Sequence, residues 1–231
     1  MPASTPRFAF VLSTPGSVLQ RVLETATVRA ATHLVIATQD GPALQKARAS
    51  GINTAVIADS ANETFCAKVL DHVLEHRIDY ILSFYTKFYS QTIRDALQDR
   101  IVNFHPSLLP AFKGMDGFGD GLAYHTKIIG TTVELIKDNM DEGKIVMQTA
   151  CAVDINVSRE EMRHRIFVQQ CKTLIQVIDW ITKGRMNVEG GKVTIYDAWF
   201  RDPEFSPALE NAEAIAFGQA SVQTNLTSTG S

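Results

Sequence analysis

Cysteine is scarce in this chain, charge is nearly balanced, and long apolar runs are missing. Each shortage excludes a class of protein. The three cysteines, Cys66, Cys151 and Cys171, are odd in number, far apart and without a CxxC pair. They read as reduced cytosolic thiols, not as a disulfide framework or a zinc site. His and Cys spacing offers no metal motif elsewhere, so no metal is expected. A net charge of -3 gives no reason to expect nucleic acid or an anionic membrane as a partner. No run approaches the roughly 18 apolar residues of a membrane span. The N-terminal MPASTPRFAFVLSTPGS is not a secretory signal: FAFVL is too short, and Pro15-Gly16 breaks it. Internal repeats are absent. What remains is a cytoplasmic globular protein whose 231 residues suit one domain with a substantial core.

What is present is an alternation of apolar strands and periodic helices. Strands are expected at 7–12 (RFAFVL), 33–38, 53–58, 79–84 and 100–105 (RIVNFH). Helices are expected from Ser17 through the 20s, after Asp40-Gly41-Pro42, from about Asn62 to His76, and near 88–97. Continuous apolar strands between helices indicate a parallel sheet covered on both faces. Ligands in such sheets sit beyond the C-terminal strand ends. Ser13–Ser17, Phe84–Lys87 and Asn103–His105 all lie there and are expected to share one crevice. Residues 106–128 read as irregular. GTTVELIKD (130–138) and KIVMQTACAV (144–153) form a hairpin, and Ser158 to Glu161 is a capping box opening a helix to about Lys183. A small hairpin turns at Gly190-Gly191. One domain, 1–216, is expected, with a Rossmann-like half (1–105) and a second half (106–216) carrying a catalytic loop, hairpins and the long helix. Residues 217–231, uncharged and Ser/Thr-rich, read as a disordered tail.

NFHPSLLPAFKG (103–114) ends a core strand on two polar residues and then stiffens the chain with Pro106 and Pro110. Polar groups at the mouth of a buried strand suggest chemistry rather than packing. Bland readings stand beside this one. Asn103 could be a turn former, His105 an edge cap, and Asp141 an ordinary hairpin residue.

In order and spacing, NFHPSLLPAFKG followed by GTTVELIKDNMDEGKIVMQ resembles the folate-dependent formyltransferases, in particular their glycinamide ribonucleotide transformylase-like group. The resemblance covers roughly residues 7–185. It implies a Rossmann-like formyltransferase fold: a mostly parallel central sheet with helices on both faces and a C-terminal antiparallel extension. It also implies transfer of a formyl group from 10-formyltetrahydrofolate, a cosubstrate, to a small-molecule amine, by a monomer or homodimer without a metal. The matching catalytic positions are Asn103, His105 and Asp141. An amine attacking a formamide carbon generates an oxyanion and needs a proton path, which an amide donor, an imidazolium and a carboxylate can supply. Carried over by position, the folate site is Phe84, Tyr85, Thr86, Lys87 and Phe88 with the loop Lys137, Asp138, Asn139 and Met140. Phe84, Tyr85, Phe88 and Tyr89 could equally be core aromatics, a reading that suits two of the four.

The acceptor side departs from the group. The first turn reads Gly16-Ser17-Val18, and Val18 offers no hydrogen-bonding side chain. Glu134 stands where the group has a His, Lys87 where it has an Arg, and Gln170 where it has a Glu. Gly16, Ser17, Asp116, Glu134 and Gln170 are the expected acceptor contacts. An acidic wall of Asp116, Asp120 and Glu134 would suit a cationic amine better than a phosphate ester. The expected acceptor is therefore another amine, such as a hydroxyornithine or a specialised-metabolite amine. Phosphoribosylglycinamide is the alternative, and formyltetrahydrofolate hydrolysis a further one. Those hydrolases carry an N-terminal regulatory domain, whereas this chain opens on its first strand.

Overall fold

The computed structural model describes residues 5–13, 15–58 and 61–219. The chain order is β1 (Phe8–Leu12), α1 (Ser17–Val22), α2 (Ala26–Ala31), β2 (Thr32–Ala37), α3 (Pro42–Ala49), β3 (Asn53–Val56), α4 (Asn62–Glu75), β4 (Tyr80–Phe84), α5 (Gln91–Ala96) and β5 (Ile101–His105). It continues with α6 (Gly117–Ala123), β6 (Ile128–Leu135), β7 (Lys144–Ala152), α7 (Arg159–Thr182), β8 (Met186–Glu189), β9 (Lys192–Ile195), β10 (Phe205–Ser206) and α8 (Ala212–Ala216). One sheet of eight strands runs β10-β7-β6-β5-β4-β1-β2-β3, and β8 and β9 form a separate hairpin. Strands β1 to β5 are parallel neighbours, whereas β6, β7 and β10 join antiparallel. This is the Rossmann-like arrangement with an antiparallel extension.

Strand alternation explains the two cores. Phe8, Phe10 and Leu12 of β1 face α1, α2, α3 and α7. Ala9 and Val11 face the other way, onto Phe65, Val69 and Val73 of α4 and Ile93 of α5. Both faces are dry, so the strands read as unbroken apolar runs. The side chain of Ser158 accepts from the Glu161 amide and starts the 24-residue α7.

Two expectations change. The periodic run after Ser17 is two helices, not one. The carboxylate of Glu213, on α8, accepts from the Ala26 and Thr27 amides at 2.6 and 2.8 Å. It thereby satisfies the free N–H groups of a second helix start. Residues 106–128 are not wholly irregular. Despite its glycines, α6 forms because Asp116 accepts from the Gly119 amide, and Phe118 packs with Ile129, Met162 and Ile166. Of the expected tail, Phe217 packs on the core with Arg21 over its ring, and residues 220–231 lie outside the described residues. No helix among the described residues is long and apolar enough to cross a membrane.

Candidate active site

Asn103 and His105 are two apart on β5, so they face the same side of the sheet, opposite Glu134 and Thr132 of the antiparallel β6. Here the sheet opens into a cavity of about 250 Å³. Its walls come from 84–88, 103–106, Gly114, Met115, Glu134, Ile136 and 139–141.

The turn after β5 is held by residues far away in sequence. Thr132 Oγ1 donates to the Ser107 carbonyl at 2.7 Å and accepts from the Leu109 amide and Gln148 Nε2, both at 3.0 Å. That exhausts a hydroxyl's one donor and two acceptor sites. Gln148 Nε2 also donates to the Leu109 carbonyl. A Cβ on Gly130 would stand 1.8 Å from the Thr149 carbonyl oxygen, and one on Gly143 would stand 2.3 Å from that of Leu135. The two sequence stretches meet because β6 and β7 clamp the proline-rich turn. Thr132 and Gln148 lie within the second stretch, and no role was expected of them.

His105 is buried. Its Nδ1 lies 3.3 Å from Asp141 Oδ1, and its Nε2 lies 3.1 Å from the Phe112 carbonyl oxygen. The Phe112 carbonyl can only accept, so Nε2 is the donor in that pair, while Nδ1 faces the Asp141 carboxylate. Asp141, at a positive φ of 56° that Asp tolerates, is fixed from behind by the Gly114 amide at 2.7 Å. A Cβ on Gly117 would come within 2.9 Å of His105 Nε2, so glycine leaves the ring its place.

Asn103 Nδ2 donates to Glu134 Oε1 at 3.0 Å, and the Gly143 amide donates to Glu134 Oε2 at 2.7 Å. Both Glu134 oxygens are thus engaged within the protein. This orients the Asn103 amide and leaves its second N–H for a group in the cavity. Burial pushes the Glu134 carboxyl above its ordinary value, and nearby Asp141 adds to this; Asn103, Gly143 and His105 oppose it.

The expected folate residues divide. Phe84, Thr86, Lys87, Phe88, Asn139 and Met140 line the cavity. Tyr85 touches it but is a core residue: its ring stacks on Phe65 at 4.5 Å, its hydroxyl donates to Asn62, and burial pushes its phenol up to about 12. Tyr89 is buried, with its hydroxyl on Ser83. Lys137 and Asp138 are not among the residues lining the cavity; Arg94 donates to their carbonyls at 3.0 and 3.3 Å while lying over the Phe88 ring. Nothing in the sequence pointed to Arg94.

The expected acceptor residues disperse. Glu134 alone lines the cavity. Asp116 is exposed, capping α6 and facing Arg159 at 3.6 Å, so no acidic wall forms with it. Gln170 lies on α7, outside the cavity lining. Gly16 is a tight turn at φ 70°, where a Cβ would meet Ala43 Cβ at 2.7 Å, and Val18 is buried. The Ser13 hydroxyl donates to Thr86 Oγ1 and accepts from the Thr86 amide, and Thr14 lies outside the described residues. Gly16 and Ser17 are thus not among the residues lining the cavity, although Ser13 at the end of β1 is bonded to two that are, Phe84 and Thr86.

Known proteins resemble this chain in sequence and in fold. The formyl transferase family profile matches residues 6–178. The phosphoribosylglycinamide formyltransferase of Bacillus subtilis is 37% identical over 87 residues, 38% of this chain and 45% of that protein. That of Mycobacterium tuberculosis is 36% identical over 102 residues, 42% of this chain and 47% of that one. These alignments span just under half of each relative's length. The crystal structure of glycinamide ribonucleotide transformylase 1 from Symbiobacterium toebii superposes with a TM-score of 0.76 at 27% identity, covering 84% of this chain and 95% of that one. A formyltetrahydrofolate deformylase from Pseudomonas syringae shares the fold at a TM-score of 0.72 and 19% identity, over 84% and 67% of the two chains. The matched span includes Asn103, His105 and Asp141, and the chain belongs to the formyl transferase family.

Proposed function

We propose that the cavity transfers a formyl group from 10-formyltetrahydrofolate to a primary amine. One observation carries this reading: an amide donor, an imidazole and a carboxylate converge on one cavity at the end of β5. The folate would supply a formyl group on a nitrogen that can leave. Phe88, Ile136 and Met140 offer apolar walls for a flat heterocycle, and the 139–141 backbone borders them. The free N–H of Asn103 would donate to the formyl oxygen as charge develops there. His105, held by Asp141, would add a second donor after leaving the Phe112 carbonyl. The new nitrogen–carbon bond forms as the folate nitrogen–carbon bond breaks, and the amine's proton passes to the leaving nitrogen. Asp141, 3.3 Å from Nδ1, would keep the imidazole oriented for that transfer.

For the acceptor, the relatives' names favour phosphoribosylglycinamide over the other amines expected from the sequence. A second reading, an amine without a phosphate, rests on the β1 turn. Val18 is turned into the core there, and Gly16 packs on Ala43. Steady-state turnover with 10-formyltetrahydrofolate and a panel of amines decides between them. A kcat/KM for phosphoribosylglycinamide above that of every other amine supports the first reading. Donor turnover that ignores all added amines would overturn transfer in favour of hydrolysis.

A further inference from the structure

Helix α4 carries a second group of donor atoms, remote from the cavity. Asn62, in its first turn, donates to the Phe88 carbonyl beside the cavity. Its last turn lies at the opposite edge of the sheet, about 20 Å away at 1.5 Å per residue. There His72 and His76 are four residues apart and Glu75 lies between them, so all three project from one side of the helix end. The imidazoles are nearly parallel, with an interplanar angle of 7° and centroids 6.1 Å apart. One donor atom from each of the three residues lies within 4.8 Å of the other two.

His72 Nδ1 is screened from solvent and makes no hydrogen bond. The Glu75 carboxylate faces it at 3.7 Å. That is too long for a hydrogen bond but close to the roughly 3.3 Å edge of a tetrahedron with bonds of about 2.0–2.1 Å. Glu75 is exposed, and its side chain is free to close the remaining gap. The negative end of the helix dipole lies here and favours a cation. Arg7 opposes it in charge, but it is engaged with the His76 carbonyl through Nε.

We propose that His72, Glu75 and His76 form a binding site for a divalent transition metal of the zinc class. Two imidazoles and one carboxylate suit such an ion and are a poor set for magnesium. No metal motif is expected from the His and Cys spacing, and the transfer reaction needs none; the signal for this separate group is HVLEH at 72–76, which only a helix gathers on one side. The site would tie the end of α4 and has no part in the transfer reaction.

Calorimetric titration of Zn²⁺ into the purified chain tests the proposal, with Mg²⁺ as control. One saturable equivalent is expected for Zn²⁺ and none for Mg²⁺. Glu75→Gln should weaken binding about tenfold or more, at least as much as loss of an outer-shell partner does. The double variant His72→Gln/His76→Gln should abolish it. All three side chains are partly or fully exposed, so folding should persist, as checked by circular dichroism; Glu75→Gln alone decides if the double variant fails. Zn²⁺ binding that is equally tight in the variants, or absent in the wild type, overturns the site.

Discussion

The C-terminal ends of β1 and β5 hold equivalent places in one parallel sheet, yet among the described residues only the β5 end lines the large cavity. At β5, Asn103 and His105 enter a cavity, and each polar partner they meet is fixed by another contact: Glu134 by Gly143, Asp141 by Gly114. At β1, Ser13 and Thr86 satisfy each other, Gly16 packs against Ala43, and Val18 joins the core. A strand end offers a position. Whether chemistry follows depends on whether its polar groups are left with capacity to spare.

Removing that capacity at β5 should give the largest effect. Asn103→Ala and His105→Ala should each lower kcat for formyl transfer by about 10²–10⁴-fold. Gly16→Ala, at the other strand end, should destabilise the fold but leave the kcat of the folded fraction within about twofold. If Gly16→Ala cuts kcat of folded protein as deeply as His105→Ala, the contrast between the strand ends is wrong.

Next comes the clamp that makes β5 different. Thr132→Val removes a buried hydroxyl and leaves the Leu109 amide and Ser107 carbonyl without their partner. A loss of about 1–3 kcal/mol in urea unfolding is expected, the cost of orphaned buried groups. Turnover should fall as well, since the turn behind His105 loosens. Unchanged urea midpoints would mean that the turn is held without the Thr132 hydroxyl.

The same contrast explains what the sequence could and could not disclose. Strand and helix periods follow from local patterning, so β1 to β5, the hairpin of β6 and β7, and the cap of α7 were legible. Asn103, His105 and Asp141 were expected together from two contiguous motifs, and the structure places all three at one cavity; their part in transfer is the proposal above. Contacts between distant segments were not legible. Glu213 capping the second helix after Ser17, and Arg94 holding the Lys137 and Asp138 carbonyls, depend on tertiary geometry that no spacing encodes. Glu134 was found, but as a contact for the acceptor. Only the register opposite Asn103 reveals it as that amide's partner.

Glu134→Gln therefore gives a smaller, two-part result. With the Asn103 amide less firmly oriented, kcat should fall about tenfold. Stability should also change with pH. Burial raises the Glu134 carboxyl above its ordinary 4.5 in the folded chain. Its contribution to stability is then complete below that ordinary value and is lost as pH rises through the raised one. Glutamine does not titrate, so wild type should lose stability relative to Glu134→Gln as pH climbs through this window. Urea midpoints of both proteins from pH 4 to 8 measure it, and a pH-independent difference would show that the carboxyl titrates alike in the folded and unfolded chain.

The smallest effect should come from Asp116, which the sequence placed in the acceptor site. Asp116→Ala removes the side-chain cap of α6 and an exposed 3.6 Å contact to Arg159. The cap is worth about 0.5–1 kcal/mol and the exposed pair little more than nothing. Formyl transfer should keep its kcat and its KM for the acceptor, because the side chain lies outside the cavity lining. If the acceptor KM rises severalfold in Asp116→Ala while the folded fraction is unchanged, the acceptor reaches past the cavity to α6, and the proposed site is larger than the cavity alone.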